Sequence, residues 1–174
     1  MTSTSWVLLA LAVLVVLLLA WAAFTLTRLR RLAGRVDRAW VTLEGTLARR
    51  AELADAVARE HADELGPLRA DALRSAAAAA RRPSGGDREV AENALGRLVR
   101  ELPEPLRAPE LDDAGWRVGL ARRFYNDAVR DTRALRRRPG PRTLRLHARR
   151  PMPRFFDIDD GLDAVVGTGP AGRG

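Results

Sequence analysis

Hydrophobic residues are distributed along this chain in two ways, first as an unbroken run and then at helical spacing. The run extends from Trp6 to Leu26 and contains no charged side chain. A helix of this length spans roughly 30 Å, the thickness of the hydrocarbon core of a bilayer. It also lacks the one-sided apolar stripe that is typical of a helix on the surface of a soluble domain. We therefore predict a transmembrane anchor in residues 1–27.

After the anchor, apolar residues recur every three or four positions, which predicts helices over about 36–65, 67–82, 87–102 and 112–138. Pro67 suits the first position of a helix, and Asp87 suits an N-cap. No segment of useful length alternates between apolar and polar residues, so we predict no sheet. Short connections favour antiparallel neighbours. The predicted fold is all-α: a transmembrane helix, an antiparallel four-helix bundle over residues 28–138 with long first and last helices, and a mostly disordered tail over 139–174.

The same periodicity assigns individual side chains to the core or to the surface. Val90 falls on the apolar stripe of the third helix, and Phe124 and Tyr125 fall on that of the fourth, so all three are expected to pack in the core. Arg50 is expected on the solvated face of the first helix. A further expectation, for the tail, is that Phe156 and its neighbour Phe155 dip into a membrane interface.

The flanks of the anchor indicate its orientation. Ala20, Trp21 and Ala22 have the small-x-small shape of a signal-peptidase site, which leaves a cleaved signal peptide as an alternative. The length of the apolar run and the absence of a basic residue in positions 1–5 favour an anchor. Arginines follow the run, and cytoplasmic flanks carry the excess of basic residues. We predict a single-pass plasma (inner) membrane protein with its N-terminus outside and its C-terminal domain in the cytoplasm. The residues expected at the membrane interface are Trp6, Trp21, Arg28, Arg30 and Arg31.

Composition narrows the possible chemistry. All thirty basic residues are arginine, and the chain contains no cysteine. Without lysine there is no Schiff base and no P-loop lysine, and without cysteine there is no thiolate catalysis or thiolate metal site. His61 and His147 lie on different segments, and the aspartates from Asp157 to Asp163 do not match the spacing of an EF-hand. We predict no enzymatic activity, no cofactor and no metal.

The net charge of +8 is concentrated beside the anchor and in the C-terminal part of the chain. Anionic lipid headgroups are the favoured partner for the basic tail, because each arginine near an anionic leaflet gains about 1 kcal/mol. A solvated compositional run is a second interpretation. Nucleic acid is the least favoured, because few aromatic residues are interleaved with the arginines. The basic-tail residues are Arg136, Arg137, Arg138, Arg142, Arg145, Arg149, Arg150 and Arg154.

The segment ARRFYNDAVR, residues 121–130, combines aromatic, amide and charged residues on one predicted helix. Arginine forks beside carboxylates suggest a surface that binds a partner. Pairing within the helix explains the charges equally simply and is favoured for them. Asparagine is unfavourable within a helix, so Asn126 is expected to cap a backbone group of the chain or of a partner. The polar residues of this segment are expected to face away from the aromatic stripe of Phe124 and Tyr125 or to flank it. The possible partner face comprises Arg122, Arg123, Phe124, Tyr125, Asn126, Asp127 and Arg130.

This segment resembles the C-terminal helix motif of the LemA family of bacterial membrane-anchored proteins. The similarity extends over roughly residues 5–157 through the N-terminal anchor, Trp40 in an AW-x-x-L context, the Arg49-Arg50 pair, His61, and Phe155-Phe156 after a basic linker. It implies a single-pass protein with its N-terminus outside and a long antiparallel helical bundle. It implies no activity, because the family has no established catalytic residues. The chain departs from the family pattern at residues 52–56.

Together these features predict a membrane-anchored, non-catalytic scaffold or adaptor for other membrane or envelope proteins. Its expected partners are the bilayer and an unidentified membrane or cytoplasmic protein. The alternative is a membrane-surface binder of anionic lipid or nucleic acid that acts through its arginine-rich tail.

Overall fold

The structure is a computed structural model that describes residues 3–82, 88–138 and 151–159. All regular secondary structure in these ranges is helical, which confirms the all-α class. A short 3₁₀ turn, Glu104–Leu106, precedes the last helix. The helices are α1 (Ser3–Glu60), α2 (Ala62–Leu65), α3 (Pro67–Arg81), α4 (Arg88–Arg100) and α5 (Pro109–Arg137).

Helix α1 is continuous from the apolar run into the polar part of the chain. The sequence predicted an anchor and a separate first helix, but no proline lies between residues 3 and 60 to interrupt the backbone hydrogen bonds. Gly34 and Gly45 each cost about 1 kcal/mol relative to alanine, too little to end a helix of this length. Residues 5–21 are all exposed. In the described part of the chain, α1 is the one helix long and apolar enough to cross a membrane.

The helix boundaries after α1 follow local chemistry. The predicted first helix extended to Leu65, whereas the structure ends α1 at Glu60 and adds the single turn α2. Gly66 then adopts a φ of +75°, a conformation that glycine tolerates best. Pro67 begins α3 as predicted, and Pro109 begins α5 three residues before the predicted start, because proline is favoured at the first helical position. Asp87 lies outside the described residues.

The chain divides into two compact units. Unit 1 comprises residues 1–37 and 128–154. Its described polar contacts include an exposed ion pair between Arg35 Nη1 and Asp131 Oδ2 at 3.2 Å. In addition, Arg136 donates to the Pro151 carbonyl at 2.7 Å and Arg133 donates to the Pro153 carbonyl at 3.4 Å. Residues 151–153 therefore run antiparallel to α5 in this unit.

Unit 2 comprises residues 38–127 and 155–174 and contains a core to which every helix contributes. Helix α3 packs against α4 and against the short α2. Alanines from α1 and α3 form much of the core, and such small side chains allow helices to approach closely. Val90 is 69% exposed, so the predicted core position on α4 is wrong there. The core residues are Ala51, Ala54, Val57, Ala58, Leu65, Ala70, Leu73, Ala77, Ala80, Leu95, Leu102, Leu106 and Leu111.

Two truncations on α4 test this core. Leu95 is completely buried, so Leu95→Ala should lower the free energy of unfolding by about 2 to 5 kcal/mol through lost burial and a cavity. Val90→Ala is the matched control on the same helix and should change the free energy by less than about 0.5 kcal/mol. Denaturation of the full-length chain in detergent, followed by circular dichroism, measures both. Equal effects of the two changes would contradict the assignment.

Candidate functional site

The segment from Ala121 to Arg130 lies on α5, and most of it is in unit 2. The buried stripe passes through Ala121 and Tyr125, while Phe124 is 62% exposed. The prediction that Phe124 packs in the core is therefore wrong, because neighbouring residues on a helix point about 100° apart and Tyr125 takes the inward position. Arg122 is buried, although it was expected to face away from the stripe or flank it. Arg123 and Asn126 are half-buried, and Asp127 and Arg130 are exposed.

Tyr125 belongs to a small aromatic cluster in unit 2. Its ring centroid lies 5.2 Å from that of Trp40 on α1, with the planes tilted by 58°. The Trp40 and Phe156 rings are nearly perpendicular, at 77°, and their centroids are 5.7 Å apart. Such pairs contribute about 0.5 to 1.5 kcal/mol each beyond their buried area. Burial raises the pKa of the Tyr125 hydroxyl, and the negative charge of Glu89 raises it further.

The Asn126 side chain binds both main-chain polar groups of Phe156. Its Nδ2 donates to the Phe156 carbonyl at 2.9 Å, and the Phe156 N–H donates to its Oδ1 at 2.9 Å. One side-chain amide thus satisfies the donor and the acceptor of one residue, as a neighbouring strand does in a hydrogen-bonded pair. The sequence predicted that Asn126 caps a backbone group, and the structure identifies that group.

The residues that follow Phe156 are held in the same manner by α4. Asp157 N–H donates to Glu89 Oε1 and Asp159 N–H donates to Asn93 Oδ1, both at 2.8 Å. Phe156 and Ile158 are buried, while the alternate residues Asp157 and Asp159 are exposed. We call residues 155–159 the C-terminal strap. The strap is an ordered segment within the tail that the sequence predicted to be mostly disordered, and the burial of Phe156 contradicts the prediction that it enters a membrane interface.

Arg100 completes the contacts between α4 and the strap. Its Nη2 lies 2.9 Å from Asp159 Oδ2, and its Nη1 donates to the Asp159 carbonyl at 3.2 Å. Gly96, one turn earlier on α4, lies beside this contact. A Cβ atom built on Gly96 would lie 3.4 Å from Arg100 Nη1 and 3.7 Å from the Asp159 carbonyl oxygen. These are ordinary van der Waals distances, so an alanine would fit here in contact with Arg100 and the strap.

A buried charge network connects α1 with α4. Arg50 Nη2 lies 2.8 Å from Glu92 Oε2, and both side chains are almost completely buried. Arg88 lies within 3.8 Å of the other Glu92 oxygen and 3.3 Å from Glu44. The expectation that Arg50 lies on a solvated face is wrong. Burial raises the pKa of Glu92, and the two arginines, Arg50 above all, offset part of that effect.

A second feature of unit 2 is an open groove of about 480 Å³ between α1 and α5. Small or polar residues form much of its wall, including Gly45, Thr46 and Ala114. Val41 lines the groove and is 67% exposed. On the same helix as Ala114, Trp116 is 54% exposed, so two large aromatic residues of α5, Trp116 and Phe124, present most of their surface to solvent.

The predicted membrane and tail residues have different environments. Trp6, Trp21, Arg28, Arg30 and Arg31 are all exposed on α1. Arg137, Arg138 and Arg154 are exposed as well. Arg136 is buried and donates to a main-chain carbonyl, so it differs from the exposed basic-tail residues. The remaining basic-tail residues, Arg142, Arg145, Arg149 and Arg150, lie outside the described residues.

Comparison with protein-family models, with curated proteins and with solved structures found no match to this chain. The geometry of the site must therefore be interpreted from its own residues. Sequence reasoning did not identify Glu89, Asn93 and Arg100 as contacts of the strap. The four-residue alternation from Phe156 to Asp159 was the available signal, but it was too short to predict an extended segment packed on helices.

Asn126 offers a direct test of the clamp on Phe156. Asn126→Ala leaves the partly buried N–H and carbonyl of Phe156 without their hydrogen-bond partners. It should therefore lower the free energy of unfolding by about 1 to 3 kcal/mol. Phe124→Ala, two residues earlier but exposed, is the control and should change it by less than about 0.5 kcal/mol. Chemical denaturation followed by circular dichroism distinguishes the two. An unchanged stability of Asn126→Ala would contradict the clamp.

Glu92 should make stability depend on pH. Because its pKa is raised in the folded chain, the folded state binds more protons than the unfolded state between pH 4.5 and the raised value. The contribution of Glu92 to the free energy of unfolding is therefore largest below pH 4.5 and falls as pH rises through the raised pKa. In Glu92→Gln this titration is absent, while every other carboxyl group is retained.

The measurement is the difference in free energy of unfolding between wild type and Glu92→Gln from pH 4.5 to pH 8. We expect the wild type to lose stability relative to the variant as pH rises. A difference that stays constant over this range would show that Glu92 does not titrate in this manner.

Proposed function

We propose that this chain is a membrane-anchored, non-catalytic adaptor that binds another membrane or envelope protein through the exposed face of α5. The observation that supports it most directly is the exposure of Trp116 and Phe124, each more than half accessible to solvent. Aromatic residues are enriched among the residues that dominate protein interfaces. We call the surface formed by Trp116, Leu120 and Phe124 the aromatic face.

The aromatic face lies on the outer side of α5. The inward positions of α5 are filled by Leu111, Val118 and Tyr125, so this helix already satisfies its packing in the core. Leu120, one turn from both exposed aromatic residues, is half-buried and connects them. Placing large aromatic side chains in water forgoes about 25 cal/mol for each Å² of apolar surface. Binding a partner recovers this energy.

Membrane attachment supports the adaptor interpretation. Helix α1 combines an exposed apolar N-terminal part with a C-terminal part that contributes to a packed core. We propose that the first part crosses the plasma membrane with the N-terminus outside. Support comes from Arg28, Arg30 and Arg31, which follow the apolar run and are exposed, as the cytoplasmic flank of a membrane helix requires.

The family and the bundle topology belong to the same proposal. We infer membership of the LemA family from residues 121–130, Trp40 and Phe155-Phe156, and an up-down-up-down arrangement of four helices from the short connections. The contacts of Trp40 with Tyr125 and Phe156 support the family inference, because they give a packing role to residues on which the resemblance depends. The non-catalytic part rests on the sequence, which has no recognisable set of general acid, base and orienting group and, without lysine and cysteine, no Schiff-base or thiolate chemistry.

The arginine-rich tail supports a lipid-binding role less well. Arg133 and Arg136 donate hydrogen bonds to the carbonyl groups of Pro153 and Pro151. These two guanidinium groups are thus engaged within the chain and have fewer N–H groups available for a lipid phosphate. We keep binding to anionic lipid as the alternative, and it rests on the exposed Arg137 and Arg138 together with the sequence of residues 139–150.

Photocrosslinking in cells tests the adaptor. A benzophenone amino acid replaces Phe124 in the full-length chain, and the control chain carries it at Leu68 of α3, which is 86% exposed. We expect a discrete protein adduct from position 124, none of the same mass from position 68, and a strong loss of the adduct when Trp116→Ala is combined with the probe.

Two results would contradict the proposal. One is the same set of adducts from positions 124 and 68, which would indicate random collisions. The other is an adduct at position 124 that Trp116→Ala does not weaken, since the aromatic face would then not be the binding surface. Membrane fractionation provides the control that all chains reach the membrane in equal amounts.

A further inference from the structure

The contacts of the C-terminal strap have the form of peptide recognition. The helices contribute side chains, from Asn126, Glu89, Asn93 and Arg100, and the strap contributes mainly its backbone. The strap is extended, with Phe156 and Ile158 buried two positions apart. Main-chain hydrogen bonds together with pockets for alternate side chains are how proteins bind extended peptides.

The polar side chains that bind the strap are accessible to solvent, so water can take the place of the strap as their hydrogen-bond partner. Asn126, Glu89 and Asn93 are half-buried, and Arg100 is exposed. A fully buried polar group would be left unsatisfied if the strap departed, and that would fix the strap in place. Here water can replace each hydrogen bond. The strap is therefore retained mainly by the burial of Phe156 and Ile158.

We propose that Trp40, Asn126, Glu89, Asn93 and Arg100 form a recognition cleft for an extended apolar-acidic peptide, which the chain fills with its own residues 155–159 and which a segment of a partner protein can occupy instead. The cleft selects an aromatic residue at the position of Phe156, an aliphatic residue two positions later and a carboxylate three positions later, opposite Arg100. The position of Asp157 is exposed and tolerates any side chain that suits an extended backbone.

Charge complementarity determines the acidic end of this peptide. Arg100 contacts both the carboxylate and the carbonyl of Asp159, so it binds the side chain and the backbone of this residue together. The aromatic end is determined by Trp40, whose ring packs against Phe156. A basic peptide would place a cation against Arg100 and is excluded. This cleft uses none of the residues of the aromatic face, so the inference does not depend on the proposed adaptor surface.

The experiment converts the tethered strap into a separate peptide. Residues 143–148 of the full-length chain in detergent are replaced by a six-residue protease site, and the chain is cut there. A fluorescent peptide with the sequence of residues 151–160, PMPRFFDIDD, is then added, and binding is followed by anisotropy. The uncut chain is the reference, because its tethered strap competes at an effective concentration in the millimolar range.

We expect saturable binding to the cut chain and at least about tenfold weaker apparent binding to the uncut chain. The Phe156→Ala peptide should bind at least about tenfold more weakly than the parent. The Phe155→Ala peptide is its matched control and should bind within about twofold, because Phe155 is 43% exposed and Phe156 only 5%. Asn126→Ala in the cut chain should also weaken binding of the parent peptide by about tenfold.

Several results would overturn the proposal. Loss of helical circular dichroism on cutting, or a C-terminal fragment that stays bound and never exchanges with the peptide, would make the strap a fixed part of the core. Equal binding of the Phe155→Ala and Phe156→Ala peptides would indicate non-specific association. A dimer of the uncut chain that Phe156→Ala abolishes would assign the cleft to a second copy of this chain rather than to a partner.

Discussion

The packing of Trp40 between Tyr125 and Phe156 is the interaction on which the arrangement of unit 2 depends. It brings together α1, α5 and the C-terminal strap, which are far apart in sequence. Asn126 then fixes the strap in register, because its amide pairs with the backbone of Phe156 alone. Once this register is set, Glu89 and Asn93 on α4 meet the N–H groups of alternate strap residues. Four segments of the chain are thereby aligned around one aromatic cluster.

The buried Arg50–Glu92 pair imposes a second constraint on the same unit. Taking two charges out of water is costly, and the attraction between them rarely returns the whole cost. Such a pair adds little to the net stability of a core. It does disfavour other alignments of α1 and α4, since sliding either helix by one turn would leave a buried charge without its partner. We interpret the network of Arg50, Glu92, Arg88 and Glu44 as a device that selects one packing of α4 on α1.

Helix α1 contains both the exposed apolar run and residues that pack in the core. A helix satisfies its backbone hydrogen bonds internally, so α1 is compatible with hydrocarbon at one end and with a protein core at the other. The change from one environment to the other requires a change of side chains only: exposed leucine and valine near the N-terminus, and a stripe that includes Leu43, Leu47 and Ala51 further along.

The sequence by itself determined the helical class, the long apolar N-terminal helix and most helix boundaries, because periodicity, proline and glycine act locally. It also indicated that Asn126 has a backbone partner. Where the apolar stripe of a helix has no sharp edge, only the tertiary structure decided which side chains are buried. Phe124 and Val90 point outward and Arg50 and Glu92 inward because neighbouring helices fill one side of α5, α4 and α1. The strap lay beyond prediction for the same reason: its hydrogen bonds come from side chains 30 to 68 residues away in the chain, and no local pattern records such contacts.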